Sequence, residues 1–202
     1  MNTGLLNPNL LDIVDAGRAY RGVNQDWYTH FWRRKAGCGP CTATNMLRYL
    51  RGRVALPMPS DTREQAVVLM DWVWGYVTPT LMGLNSTALF RKGMDDILAQ
   101  LGSPLRCRVL DVPDALADRP DERQVSGFIR DGLRVDSPVA FLNLHNAGLP
   151  DLDTWHWITV TGLAEGPDGL RIIAADNGRE IHINLSEWLQ KAERGGGFVS
   201  VV

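Results

Sequence analysis

Three cysteines and four histidines carry most of the nucleophilic and proton-transfer chemistry available to this chain: Cys38, Cys41 and Cys107; His30, His145, His156 and His182. Cys38 has the most telling surroundings, Arg34 Lys35 Ala36 Gly37 Cys38 Gly39 Pro40 Cys41 Thr42 Ala43 Thr44 Asn45 Met46 Leu47 Arg48 Tyr49 Leu50. Ala43, Met46, Leu47 and Leu50 recur at i, i+3, i+4 and i+7, which predicts one buried face of a helix. Pro40 suits the first helical turn and the two glycines let the backbone turn into it. Cys38 is therefore expected at or just before the helix N-terminus, where unpaired N–H groups and the positive end of the macrodipole favour a thiolate nucleophile.

A thiolate nucleophile works with a base, and histidine titrates in the useful range. His156 opens Trp155 His156 Trp157 Ile158 Thr159 Val160 Thr161 Gly162, a strand with an aromatic residue on each side of the imidazole. His145 enters an Asn146 Ala147 Gly148 loop and is a second candidate. His30 and His182 read as surface residues. A base needs a partner on its second ring nitrogen. Asp176 ends the next strand, Ile172 to Asp176, and a hairpin brings the end of one strand beside the start of its neighbour. Asn177 is the alternative orienting group, and a plain turn residue is the alternative role for Asp176.

Two known patterns share the cysteine segment. One is the thioredoxin redox motif, in which Cys38 attacks a disulfide and Cys41 resolves it; Pro79 even stands where that fold has a facing proline loop. The other is the nucleophile segment of papain-like cysteine peptidases, which this chain resembles in the branch of bacteriocin-processing, double-glycine peptidases: a Cys, Gly, Pro run opens the central helix, followed by a histidine that starts a strand and an aspartate that ends the next. That resemblance implies an α+β papain-like fold, a Cys38–His156–Asp176 triad and hydrolysis of a peptide or amide bond through a thioester. It also implies an oxyanion donor about six residues before the nucleophile. Trp32 stands there, so the nearest upstream glutamine, Gln25, takes the role, with Asn24 as the alternative. Cys41 then reads as a small core residue, although a reversible disulfide with Cys38 or a role as the attacking thiol also fits its place. A non-catalytic binding domain of the same fold is a third reading.

The elements that must position these groups follow in order. Asn9 to Ala19 reads as a short amphipathic helix or arm, and Tyr20 to Phe31 as an aromatic loop running to the nucleophile. After the central helix, Ser60 or Asp61 caps a second helix with Glu64 placed for a capping box. Ser86 opens a third, closed by Gly102. From Pro104 the texture changes to strands at Leu105 to Leu110, Pro138 to Leu144, His156 to Ala164, Leu170 to Asp176, Arg179 to Leu185 and Gly197 to Val202. Helices at Gln124 to Arg134 and Leu185 to Arg194 interrupt them. Pro167 Asp168 Gly169 and Asn177 Gly178 are hairpin turns, so the sheet is expected to be antiparallel. Helices first, over 1–103, and sheet afterwards, over 104–202, in one domain, is the papain-like order and not the thioredoxin one.

With 202 residues the chain is long enough for a substantial core. Its 21 basic and 23 acidic residues give a formal charge of −2, which offers no general attraction to nucleic acid or anionic membrane. No segment approaches eighteen uninterrupted apolar residues, the opening residues lack a signal pattern, and three unevenly spaced cysteines make no disulfide framework. The expectation is a cytoplasmic protein with a peptide or amide substrate, no nucleic-acid or membrane partner, no cofactor and no metal; tetrahedral zinc would want two ligands beyond the cysteine pair.

Overall fold

The computed structural model describes residues 2–202. Alternation in the second half builds six strands, β4 (Cys107–Val112), β5 (Val139–Asn143), β6 (His156–Gly166), β7 (Gly169–Asp176), β8 (Arg179–Asn184) and β9 (Gly196–Val201), and β1 (Thr3–Gly4) from the first half completes a seven-stranded sheet. The order is β4-β9-β5-β6-β7-β8, with β1 added to β6, and every pairing is antiparallel. The Asn177–Gly178 turn joins β7 to β8 with both residues at positive φ, 45° and 76°, as a tight hairpin demands.

Helices cover both faces of the sheet. On one face α2 (Cys38–Tyr49), α3 (Arg63–Trp74) and α4 (Thr87–Gln100) share a core with Ala140, Leu142, Trp157, Val199 and Val201. On the other, α5 (Glu122–Arg134) and α6 (Leu185–Lys191) bury Ile129, Leu133 and Trp188 against Phe141, Ile158, Val160 and Phe198. Period two along β6 explains the division, since Trp157 faces one core while Ile158 and Val160 face the other. The architecture is thus α+β with a large antiparallel sheet, and helices in the second half close the face that α2 leaves open.

The first forty residues depart from expectation. Asn9 to Ala19 does not form a helix: a short 3₁₀ turn over Pro8–Leu11 leads into a hairpin of β2 (Asp12–Asp15) and β3 (Arg18–Arg21). Ala16 and Gly17, at φ 48° and 80°, supply its two-residue turn. Where the expected loop ends, a further helix, α1 (Phe31–Ala36), forms with His30 as N-cap, its imidazole accepting from the Trp32 N–H. The cap of α3 is Thr62, paired with Gln65 in a reciprocal capping box, rather than Ser60 or Asp61 with Glu64. Ser86 caps α4 as expected. No helix among the described residues is long and apolar enough to cross a membrane.

Candidate active site

Cys38 is the first residue of α2 and half-buried. Close packing around it explains the flanking glycines. A Cβ on Gly37 would lie 2.4 Å from the Arg33 carbonyl oxygen and 2.8 Å from the Tyr28 ring, and one on Gly39 would lie 2.4 Å from Leu84. Small residues let α1, the Tyr28 ring and the loop before α4 close on the start of the helix.

His156 begins β6 and is only 6% exposed. Thr159 pairs with Ala175 across the β6–β7 ladder, which brings Asp176, the last residue of β7, beside the first residues of β6. The His156 Nε2 accordingly lies 2.7 Å from Asp176 Oδ1. Cys38 is the second side chain that acts on the same imidazole. With Nε2 committed to the carboxylate, Nδ1 is the nitrogen left for sulfur. Burial is the largest single influence on this imidazole and pulls its pKa down. The interactions with Asp176 and Cys38 together outweigh it and raise the pKa to about 10.

Neighbouring elements hold the pair in place. Trp157 stacks on Phe90 with ring centroids 4.4 Å apart and donates through Nε1 to the Leu84 carbonyl, pinning the start of β6 to α4 and the loop before it. Asn45, about two turns along α2 from Cys38, is buried and bridges two segments: Oδ1 accepts from the Val23 N–H at 2.9 Å, and Nδ2 donates to Thr159 Oγ1 at 3.1 Å. Asn143 organises the loop before His156, accepting from Trp188 Nε1 and the His145 N–H and donating to the Asp153 carbonyl. At the end of that loop Trp155 takes φ 58°, an unusual backbone state for a bulky side chain, next to the histidine.

The unforeseen β2–β3 hairpin secures the other end of the site. The Arg21 N–H donates to the Gly178 carbonyl at 2.9 Å, Asn24 Nδ2 donates to the Asn177 carbonyl at 3.0 Å, and the Gln25 N–H reaches Asn177 Oδ1 at 3.4 Å. Asn177 is thereby a turn residue that receives this segment, while Asp176 makes the contact with the histidine. Gln25 spans the gap between that turn and the segment before Cys38: its Nε2 donates to the Arg34 carbonyl at 2.9 Å, and its Oε1 is buried with no hydrogen-bond partner among the described residues. One of the two amide hydrogens is committed to Arg34, leaving the second. Asn24 Oδ1 instead accepts from the Asp26 N–H, capping the short turn Gln25–Trp27.

The remaining candidates lie apart. Cys41 is buried in an apolar cluster with Ile13, Val23, Trp27, Tyr28, Met70 and Trp74, and burial pushes its thiol well above the ordinary range. Cys107 is buried in β4, its thiol likewise raised by burial. His145 Nδ1 accepts from the Ala147 and Glu193 N–H groups and organises its own loop. His30 caps α1, and the half-exposed His182 faces Glu180.

A cleft of about 170 Å³ opens beside Cys38, walled by Trp32, Met82, Leu84, Leu142, Leu144 and Trp155. No local pattern announces this wall, because its members come from four separated segments. Asn45 did carry a signal: it lies seven residues after Cys38, on the same side of the helix. Fold and site together define an α+β protein that brings a helix-terminal cysteine beside a strand histidine hydrogen-bonded to an aspartate. The chain matches no model of a known protein family and no curated protein.

Proposed function

We propose that this chain is a papain-like cysteine peptidase or related thiol hydrolase acting on a peptide or amide bond. The observation that carries the reading is the imidazole of His156, held at Nε2 by Asp176 and close enough to Cys38 for the two side chains to interact. In this reading the Cys38 sulfur attacks the substrate carbonyl carbon as a thiolate while His156 holds the proton. The tetrahedral oxyanion accepts from the Cys38 N–H and from the free hydrogen of the Gln25 amide. Collapse breaks the C–N bond, and His156 gives its proton to the departing amine, leaving a thioester. His156 then takes a proton from water, whose oxygen attacks the thioester, and returns it to sulfur as the acid leaves. Asp176 fixes the tautomer and supports the imidazolium throughout.

The helix-terminal nucleophile, the sheet-borne base and the antiparallel connections between them favour the papain-like arrangement. The same proposal includes a cytoplasmic setting, in keeping with three unpaired cysteines, and neither nucleic acid nor membrane as partner. Iodoacetamide or an epoxide should label Cys38 ahead of Cys41 and Cys107, and His156→Ala should slow that labelling by at least about tenfold. Equal, slow labelling of all three thiols, indifferent to His156, would leave a binding domain. Insulin reduction that disappears in Cys41→Ser would favour a dithiol oxidoreductase.

A further inference from the structure

Most side chains lining the cleft beside Cys38 are apolar, Trp32, Trp155, Leu84, Leu142 and Leu144 among them, and Lys35 and Asn85 add polar groups. Its volume of about 170 Å³ falls below the roughly 300–1,000 Å³ of sites that enclose a whole small ligand, and suits one side chain of leucine or phenylalanine size. Next to the lining residues Trp32 and Met82 the chain exposes more apolar surface: Phe31, Leu81 and Met82 itself are 65%, 92% and 66% exposed. Such a patch around a cleft marks a place where something apolar is covered.

Charge narrows what that is. Lys35 is the only charged side chain among the described residues lining the cleft, and no acid lines it. Among the described residues neither Lys35 nor the adjacent, exposed Arg34 has an ion-pair partner, whereas Arg33 is spent on Asp71. Lys35 instead rests over the Phe31 ring at 5.9 Å, an arrangement that leaves the ammonium at the mouth of an apolar slot. On the opposite lip, Arg194 lies 5.0 Å from the Trp155 ring centroid, with Asp114 at 3.6 Å. The complement to this surface is an apolar side chain with a carboxylate close by.

We propose that the site takes peptides in which a bulky apolar residue, seated in this cleft, has a carboxylate next to it, supplied by an aspartate or glutamate side chain or by a free C-terminus. The inference rests on the hydrolase reading of Cys38 and adds the substrate class to it. Lys35 is then a specificity-determining residue on α1.

Peptidyl chloromethyl ketones test this whatever the natural substrate is, because the second-order rate of Cys38 alkylation reports binding and attack together. Tripeptide probes carrying leucine should label Cys38 at least about tenfold faster than probes with glycine in its place, as expected for burying one such side chain. Among leucine probes with glutamate, glutamine or lysine on either side, glutamate should lead lysine by about two- to fivefold at low salt, and the lead should vanish near 1 M salt. Lys35→Glu should reverse that order. Protection of Cys38 by acetyl-leucine over its amide would assign the carboxylate to a free C-terminus; protection only by glutamyl peptides would assign it to a side chain. Glycine probes that match leucine, or a charge order unmoved by Lys35→Glu, would overturn the proposal. Uncharged iodoacetamide separates the two levels: selective, His156-dependent labelling beside a failed probe series sinks only the substrate class, while absent selectivity sinks the hydrolase reading with it.

Discussion

Burial and hydrogen bonding pull His156 in opposite directions, and the balance sets how the site responds to pH. A folded-state pKa of about 10, above the ordinary 6.5, means that this group contributes its stability fully below about pH 6.5 and loses it as pH rises toward 10. Urea midpoints of the wild type should therefore fall relative to those of His156→Gln between pH 6 and pH 10. In the proposed hydrolase reading the proton given to the leaving group persists well above neutrality, so the alkaline limb of kcat/KM should lie near pH 10. Asp176→Asn removes one support and leaves the burial, so the limb should move down. A limb near 6.5 in the wild type would show that the carboxylate does not hold the imidazolium. Cys41 makes the opposite case. Its sulfur packs among Ile13, Trp27 and Met70, and Cys41→Ala should retain selective labelling of Cys38 while lowering stability by about 1 kcal/mol for the lost packing.

Two bridges decide whether the elements present these side chains in register. Asn45 ties α2 to β6 through Thr159 and to the Gln25 segment through Val23. Thr159→Val keeps the shape and removes the acceptor, leaving a buried amide donor unpaired, and is expected to cost about 1–3 kcal/mol in urea unfolding, with Thr159→Ser close to wild type. The second bridge is the Asn177–Gly178 turn. Gly178 has φ 76°, and a Cβ there would approach the Tyr20 ring to 2.7 Å. Gly178→Ala should thus destabilise the protein by about 1 kcal/mol or more and slow Cys38 labelling, because it forces β3 away from the turn that carries Asp176. The contact between His156 and Asp176 was legible in the sequence, since alternation and a turn dipeptide are local signals that fix a hairpin's register. The β2–β3 hairpin was not: Leu10, Leu11, Ile13 and Val14 imitate a helical face, and the Ala16–Gly17 turn is less marked than Asn–Gly. Helix α1 was hidden for a related reason, because Phe31 to Ala36 has no apolar period and is held by its His30 cap and by packing of Gly37 on Tyr28.

At the scale of the whole molecule, helices first and strands afterwards describes the chain without describing two separable halves. Strand order and the choice of face depend on long-range packing, which leaves little trace in local pattern. One face of the sheet, with Ala140, Leu142, Trp157, Val199 and Val201, is buried only against helices from the first half. Strands β1 and β3 cross in the other direction: Thr3 pairs with Leu163, and Arg21 bridges to Gly178. A fragment of residues 104–202 would expose that apolar face and lose the partners of the Asp176 turn. It should therefore bind ANS strongly, show poor NMR dispersion and leave His156 with a smaller raise in proton affinity, since Cys38, one of the two partners that raise it, is missing. Mixing it with a fragment of residues 1–103 should restore dispersion and, with it, His156-dependent labelling of Cys38, because the buried Trp157–Phe90 stack and the Asn45–Thr159 bridge form only across the two pieces. A fragment of 104–202 that folds alone with sharp, dispersed signals would mean that the sheet does not need the nucleophile's helix, and that core and site are not cooperatively linked through these contacts.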